Sequence, residues 1–221
     1  MESNRYPYSI WFTADLHLRH KNILQHQPAR VEAMGLVDAD DIDGHDRWIV
    51  DMWYDAVKRN DHVYVLGDLI LADRVTSLYL LGRLKRKGVK IHLIIGNHDK
   101  STYNLTNMFE SIDYIKVVDF KASVFDFLPC DLTVAMCHYP MKSWPRKPQG
   151  SINLYGHVHA NAPWIDDSDD LCLNVGLDSP FANFRLVSLR QISDWYSAKL
   201  NGLTPREYIE QTSINNPKFI R

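Results

Sequence analysis

Cysteine is scarce in this chain. Its 221 residues include three cysteines, Cys130, Cys137 and Cys172, and none of them forms a CxxC pair. An odd count without paired spacing argues against a disulfide scaffold, and it leaves too few thiolates in the right pattern for a structural zinc site. A reducing compartment is therefore expected, and we predict a cytoplasmic protein.

Long apolar runs and excess charge are also missing. No window approaches the ~18 apolar residues that a membrane-spanning helix needs, and residues 1–5 lead into a strand-like run instead of an apolar signal region. The formal net charge is −2, so no global positive field would attract nucleic acid. These absences predict a soluble protein with no membrane partner. They also disfavour nucleic acid as a partner, although a local basic patch stays open.

Strands alternate with helices in the first half of the chain, which predicts βαβ units and a largely parallel sheet. We expect strands over residues 8–14, 62–66 and 91–95, helices over 22–26, 45–59 and 77–87, and a long loop over 27–44. After about residue 113 the pattern predicts a mixed or antiparallel half with little helix. Its strand candidates are residues 114–120, 122–128, 132–137, 152–155, 171–175 and 184–189, and a helix over 191–200 follows.

No linker rich in proline, glycine or serine divides the sequence. We therefore expect one domain over residues 1–221, with residues 190–221 forming C-terminal helices and a tail. Hydrophobic residues make up 45% of the chain, which is enough to bury a sizeable core. The predicted architecture is two packed sheets with flanking helices.

Polar residues suited to metal binding follow five of the predicted strands. They are Asp15-Leu16-His17, Gly67-Asp68, Gly96-Asn97-His98-Asp99, His138 and Gly156-His157-Val158-His159. Ligands of open α/β sheets bind outside the carboxyl ends of the strands, so these side chains should converge. Imidazole nitrogen and carboxylate oxygen together favour zinc, iron, manganese or nickel over calcium. The sequence thus predicts a centre for two divalent metal ions of one of these kinds.

This ordered motif set resembles the signature of the calcineurin-like metallophosphoesterases, in particular their small single-domain bacterial and phage members. The resemblance extends from Asp15 to His159 and is expected to continue to Leu189. It implies a four-layer α/β/β/α sandwich of two mixed sheets flanked by helices. One departure is Arg19, which stands where small relatives often have glycine.

The resemblance also implies roles for individual residues. Asp15, His17 and His159 would hold one metal ion, Asn97, His138 and His157 would hold the other, and Asp68 would bridge both. His98 would be the general acid facing the leaving group, and Asp99 would orient it. His20 and Asn22 match the small-relative pattern and could contact phosphate.

The expected activity follows from such a centre. A hydroxide shared by two divalent ions would attack phosphorus directly, and His98 would protonate the departing oxygen. The substrate would be a small phosphate mono- or diester, which could be a nucleotide. The segment after His138 has two interpretations: it is a solvated loop, or it is a substrate wall in which Trp144 stacks on a ring and Arg146 meets phosphate.

Two other functions stay open from the sequence. The same centre could serve a nuclease or a cyclic-nucleotide phosphodiesterase, because only the pocket walls decide between substrates. Some members of the family that lost metal histidines, such as a retromer subunit, are non-catalytic interaction modules. Such a module should show gaps in the motif set, whereas every ligand position is filled here.

Overall fold

The computed structural model describes residues 8–100, 104–160, 170–203, 207–208 and 210–211. Within these ranges the chain forms nine strands and five α-helices whose bounds are described, and residues 207–208 and 210–211 are also helical. In chain order they are β1 (Ile10–Thr13), α1 (Ile23–His26), α2 (Ala29–Met34), α3 (Ile42–Ala56), β2 (His62–Val65), α4 (Arg74–Leu84), β3 (Lys90–Ile94), β4 (Ser111–Asp113), β5 (Ile115–Phe120), β6 (Leu132–Cys137), β7 (Ile152–Tyr155), β8 (Cys172–Asn174), β9 (Val187–Ser188) and α5 (Leu189–Leu200). Short 3₁₀ turns cover Thr106–Met108 and Lys147–Gln149.

The strands form two mixed sheets. The first has the order β4-β3-β2-β1-β9, in which β9 alone runs antiparallel to its neighbour. The second has the order β5-β6-β7-β8, in which β5 is antiparallel and the other pairs are parallel. Consequently β1, β2 and β3 end at one edge of the first sheet, and β6 and β7 end at one edge of the second.

A continuous apolar core fills the space between the two sheets. Phe12 of β1 and Tyr64 of β2 stack from the first sheet, and Val134 of β6 and Leu154 of β7 belong to the same buried cluster. The central strands are buried on both faces, which explains why they read as nearly unbroken apolar runs.

Helices α3 and α4 cover the outer face of the first sheet. Ile49 and Trp53 of α3 and Leu81 of α4 share a second buried cluster with Val63 and Val65 of β2. α3 begins at Ile42, before the predicted start, because the Asp41 carboxylate caps it by accepting a hydrogen bond from Gly44 N–H. α4 begins at Arg74 for the same reason, with Asp73 accepting from the N–H groups of Val75 and Thr76.

Three sequence predictions of local structure were wrong. The expected loop over 27–44 contains α2, which ends at Gly35 with a left-handed φ of 63°. Residues 122–128 form turns instead of a strand, with Asp131 accepting a hydrogen bond from Ala122 N–H. The strand expected over 184–189 is reduced to β9, because Asn183 and Phe184 have φ of 44° and 60°, outside the extended region.

The predicted architecture of two mixed sheets with flanking helices is confirmed. The helix predicted over 191–200 is present as α5, whereas much of the predicted C-terminal tail lies outside the described residues. In the part of the chain that the structure describes, the helices are all too short or too polar to cross a membrane.

Candidate metal centre

The loops after β1 and β2 are tied together by backbone hydrogen bonds. Asp15 N–H donates to Gly67 O at 3.0 Å, and His17 N–H donates to Asp68 O at 2.9 Å. From the second sheet, Gly156 N–H donates to His138 O at 3.0 Å, which joins the loops after β6 and β7. The carboxyl ends of five strands therefore meet at one edge of the molecule, as the motif pattern predicted.

We call Asp15, His17 and His159 the first subsite. One ligand atom from each lies within 4.8 Å of the others. Asp15 and His17 are buried, and the ring of His17 stacks on that of His159 with centroids 5.2 Å apart.

We call Asp68, Asn97, His138 and His157 the second subsite. The ligand atoms of Asp68, His138 and His157 lie within 4.8 Å of one another. The Asn97 side-chain Oδ1 lies 3.0 Å from His138 Nε2, and both Asn97 and His157 are exposed. This subsite therefore faces solvent, whereas the first is mostly enclosed.

Asp68 lies between the two subsites. Its Oδ2 is 3.6 Å from Nε2 of His17 and 3.5 Å from Nε2 of His138. Its Oδ1 accepts a hydrogen bond from His98 N–H at 2.9 Å, which fixes the carboxylate plane. Asp68 Oδ2 therefore lies at nearly equal distances from one imidazole of each subsite.

Five candidate ligands have left-handed backbones. The φ angles are 57° at Asp15, 51° at His17, 54° at Asp68, 71° at His157 and 53° at His159. Non-glycine residues adopt this region rarely, and such residues cluster at functional sites. Arg19 shares the conformation with φ of 62°, so the position where small relatives often have glycine is one that glycine suits.

Glycine is needed where the backbone closes around the Asp15 carboxylate. A Cβ at Gly156 would lie 2.6 Å from Asp15 Oδ2, and a Cβ at Gly176 would lie 2.7 Å from the same oxygen. Both distances are far inside van der Waals contact. Gly156 belongs to one of the five motifs, whereas Gly176 was not singled out by the sequence analysis.

The donor set fits divalent metal ions. Both ring nitrogens of His17 are buried without a hydrogen-bond partner in the protein, although buried polar atoms normally have one. Burial lowers the pKa of His17 and keeps its imidazole neutral. Burial also raises the pKa of Asp15 to about 6, a cost that a bound cation would offset. Neutral imidazoles beside carboxylates suit zinc, iron, manganese or nickel.

Asp178 and Arg30 support the first subsite, and the sequence analysis missed both. His159 Nδ1 lies 2.9 Å from Asp178 Oδ2, and Arg30 Nη2 donates to the same oxygen at 2.9 Å. Burial opposes ionisation of Asp178, but the charge of Arg30 and the contact with His159 together outweigh it and lower the pKa of the carboxyl. Asp178 follows β8 and Gly176, a strand-end pattern like those of the five motifs. Arg30 carries no comparable sequence signal.

His98 lies beside both subsites without joining either ligand group of the described residues. Its ring centroid is 5.4 Å from that of His17 and 5.4 Å from that of His20. His20 is 5.1 Å from His17, and its buried Nδ1 has no protein partner. Asn22 is exposed just before α1. The predicted acid and the predicted phosphate-contacting His20 are thus brought together.

The contacts of Asp99 indicate a role other than the predicted orientation of His98. Its carboxylate is fully buried and accepts hydrogen bonds from Gly96, Asp68 and Leu69 N–H at 2.8, 2.8 and 3.0 Å. These contacts use both oxygens to hold the loops that carry Asp68 and Asn97. The side chain thus orders the backbone of the site, and the predicted orientation of His98 by Asp99 has no support in these contacts.

Of the two interpretations of the segment after His138, the substrate wall is not supported by the contacts of Trp144 and Arg146. Trp144 is 5% exposed, and its Nε1 donates to Ser151 O at 2.9 Å, so its ring packs inside the protein and cannot stack on a ligand. Arg146 forms an ion pair with Asp119, 2.8 Å from Oδ1 and 3.1 Å from Oδ2. Tyr139 is the exposed aromatic residue here, with its ring centroid 4.6 Å from that of His157.

Several known proteins are similar to this chain. The gene 66 protein of Mycobacterium phage L5 is 25% identical over 206 residues, covering 84% of this chain and 93% of the phage protein. The gene 66 protein of Mycobacterium phage D29 is 26% identical over 192 residues, covering 77% and 88%.

A solved structure has the same fold. The protein of unknown function AQ665 from Aquifex aeolicus superposes with a TM-score of 0.64 at 21% identity, covering 85% of this chain and 99% of that one. The family model described as calcineurin-like phosphoesterase matches residues 8–140, which is more than half of the chain and includes four of the five motifs. The resemblance seen in the motifs is confirmed, and the chain belongs to the calcineurin-like phosphoesterase family.

Proposed function

We propose that this protein is a metal-dependent phosphohydrolase that cleaves small phosphate mono- or diesters. The observation that carries the proposal is the pair of adjoining subsites that share Asp68, with His98 beside them and outside both ligand groups. Two divalent ions bound there would lower the pKa of a shared water and offset charge on the phosphoryl oxygens.

Residues of the chain position the substrate between the two subsites and His98. The first subsite is buried at Asp15 and His17, whereas the second is open at Asn97 and His157. A phosphate ester therefore enters over the second subsite. His20 lies beside His98, with ring centroids 5.4 Å apart, and its unpaired Nδ1 is available to a phosphoryl oxygen.

His98 is the proton donor for the leaving group in this proposal. Its ring is half-buried and forms a triangle with the rings of His17 and His20, and its main-chain N–H donates to Asp68. An imidazole in this place can deliver a proton to a departing alkoxide, a contribution of roughly 10²–10⁴-fold to turnover.

The proposal includes a cytoplasmic location and a small substrate that can be a nucleotide. Cys130, Cys137 and Cys172 form no disulfide bond with one another, which suits a reducing compartment. The net charge of −2 gives no field that would gather long nucleic acid. Manganese is the first metal to test.

A hydrolysis screen after manganese loading tests the proposal. A phosphomonoester, a phosphodiester, cyclic nucleotides and single-stranded nucleic acid are compared at equal concentration, with metal content measured on the same samples. We expect turnover of a small mono- or diester that a chelator removes. Preferred cleavage of single-stranded nucleic acid would indicate a nuclease. Fewer than about one ion per chain and no hydrolysis would indicate a non-catalytic interaction module.

A further inference from the structure

We propose that Arg30 is a positioning residue that sets metal affinity at the first subsite alone, acting through Asp178 and His159. This inference rests on the proposed function only in requiring that both subsites bind metal. Arg30 lies on α2, in the segment that the sequence predicted to be a loop.

The Arg30 guanidinium contacts both the Asp178 carboxylate and the main chain of the first motif. Its side chain is fully buried, and its Nε and Nη2 donate to Asp178 Oδ2 at 3.0 and 2.9 Å. Nη2 also donates to Asp15 O at 2.6 Å, and Nη1 donates to Leu16 O at 3.3 Å. The same group thereby holds the left-handed backbone of the first motif and a buried carboxylate.

Asp178, held by Arg30, in turn fixes the orientation of the His159 ring. The His159 Nδ1 lies 3.0 and 2.9 Å from the two Asp178 oxygens, so Nδ1 carries the proton and Nε2 keeps its lone pair for the metal. A carboxylate acceptor behind a metal-binding histidine fixes the ring and raises its basicity. The Arg30 guanidinium lies 2.9 Å from Oδ2 of that buried carboxylate and fixes its orientation.

The contacts behind Arg30 hold the guanidinium in place. Nη1 lies 3.1 Å from His45 Nε2, and His45 Nδ1 lies 3.0 Å from Asp46 Oδ1. Arginine has no acceptor, so His45 Nε2 accepts and its Nδ1 donates. The same Asp46 oxygen accepts from Arg19 N–H at 3.1 Å. His45 and Asp46 of α3 therefore connect Arg30 to the loop that contains His17.

The second subsite is supported differently. His138 Nδ1 lies 2.7 Å from a main-chain oxygen, that of Leu66, and Asp68 is held by His98 N–H. Arg30 makes none of these contacts. Loss of the guanidinium should therefore weaken the first metal and spare the second.

The experiment compares metal binding by Arg30→Met, Arg30→Lys and Asp178→Asn with the wild-type protein. His159→Ala and His138→Ala serve as references for an empty first and an empty second subsite. Arg190→Met is the control for loss of a cation, since Arg190 lies over the Phe127 ring, away from the centre. Manganese per chain is measured by plasma mass spectrometry and affinity by titration calorimetry, with circular dichroism to check folding.

We expect the wild type and Arg190→Met to bind about two ions. Arg30→Met and Asp178→Asn should lose roughly 10–100-fold in affinity for one ion, as second-sphere changes do. Their isotherms should match His159→Ala, which retains the second site, and differ from His138→Ala. Arg30→Lys should recover little of the lost metal affinity, because a single ammonium group cannot replace a planar guanidinium that donates to Asp178 and to two main-chain carbonyls.

A spectroscopic readout separates positioning from general stabilisation. In the cobalt(II)-loaded protein the ring N–H proton of His159 should give a shifted exchangeable proton resonance that is absent in His159→Ala. Arg30→Lys should move this resonance and leave that of His138 in place. If Arg30→Met does not fold, Arg30→Lys and Asp178→Asn decide the outcome by the same measurements.

Three results overturn the inference in distinguishable ways. Unchanged affinities at both sites in the Arg30 and Asp178 variants would show that the network does not act on the metal. Equal weakening of both sites would show that it stabilises the fold in general. A wild-type protein that binds no metal would overturn the proposed function as well.

Discussion

Histidines occupy two contrasting environments in this protein. In the metal centre, His17 is 3% exposed, and both of its ring nitrogens lack a protein partner. In the middle of the first sheet, His92 is 7% exposed, but its Nε2 lies 2.9 Å from His62 Nδ1 and its Nδ1 lies 3.0 Å from Ser111 Oγ. His92 also stacks on Tyr64, with centroids 4.4 Å apart.

Burial does not distinguish the two environments, because it lowers the pKa of both His17 and His92. Hydrogen bonding does distinguish them. A buried imidazole whose two nitrogens are hydrogen-bonded inside the protein needs no further partner. A buried imidazole with unpaired nitrogens needs a partner from outside the protein, such as a metal ion. The following predictions test this difference, from the largest expected effect to the smallest.

Asp68→Ala should remove the shared ligand of both subsites. We expect both metal ions to be lost and kcat/KM to fall by more than about a thousandfold, since each electrostatic contact in such a site contributes roughly 10²–10³. Metal analysis and steady-state kinetics measure this. Asp55→Ala on the exposed face of α3 is the matched control. Retention of both ions by Asp68→Ala would disprove the bridging position.

His98→Ala should separate chemistry from metal binding. We expect kcat to fall roughly 10²–10⁴-fold while metal content stays at the wild-type level. The loss should shrink for substrates with good leaving groups, such as aryl esters, which need little protonation. A variant that also empties the centre would place His98 among the ligands.

His20→Ala should have an intermediate effect, because one of its two ring nitrogens is unpaired. Loss of a hydrogen bond to a phosphoryl oxygen should raise KM roughly tenfold. Metal content should not change, since His20 belongs to neither subsite. Kinetics with one substrate at several metal concentrations separate an effect on substrate binding from an effect on metal binding. A KM equal to that of the wild type would exclude a hydrogen bond between His20 and the substrate.

His92→Phe should leave metal content and turnover unchanged and affect stability alone, through loss of the hydrogen bonds to His62 and Ser111 and through the pH dependence. Burial lowers the pKa of His92 from its ordinary value of 6.5 to about 4. The folded state therefore favours neutral His92, whose stabilisation is complete above the unfolded-state pKa. That stabilisation is lost as the pH falls from 6.5 toward 4, by on the order of 2 kcal/mol. The variant should flatten this slope in thermal unfolding, and an unchanged slope would rule His92 out as its source.

The sequence predicted the strand-end motifs well for a physical reason. Parallel strands bring their carboxyl ends to one edge, so local patterns at Asp15, Asp68 and His138 were enough to place these residues together. The two mixed sheets followed from the same alternation of strands and helices. The metal roles of these residues and the acid role of His98 stay predictions.

The remaining features depend on contacts that no local pattern shows. Arg30 sits in a six-residue helix, too short to give a clear period, and its partner Asp178 is 148 residues away in sequence. Trp144 and Tyr139 are both aromatic residues near His138, yet Trp144 is buried and Tyr139 is 45% exposed. Tertiary packing decides which ring faces inward, and the sequence alone did not predict it.

The left-handed backbones of the candidate ligands restrict how this centre can be lost in evolution. At Asp15, His17 and His159, with φ between 51° and 57°, glycine and asparagine fit the chain conformation well, and β-branched residues fit it poorly. A descendant that abandons the metals but keeps the fold should therefore carry glycine or asparagine at these positions more often than valine or isoleucine. Sequences alone would then identify relatives that have lost the metal centre and its activity.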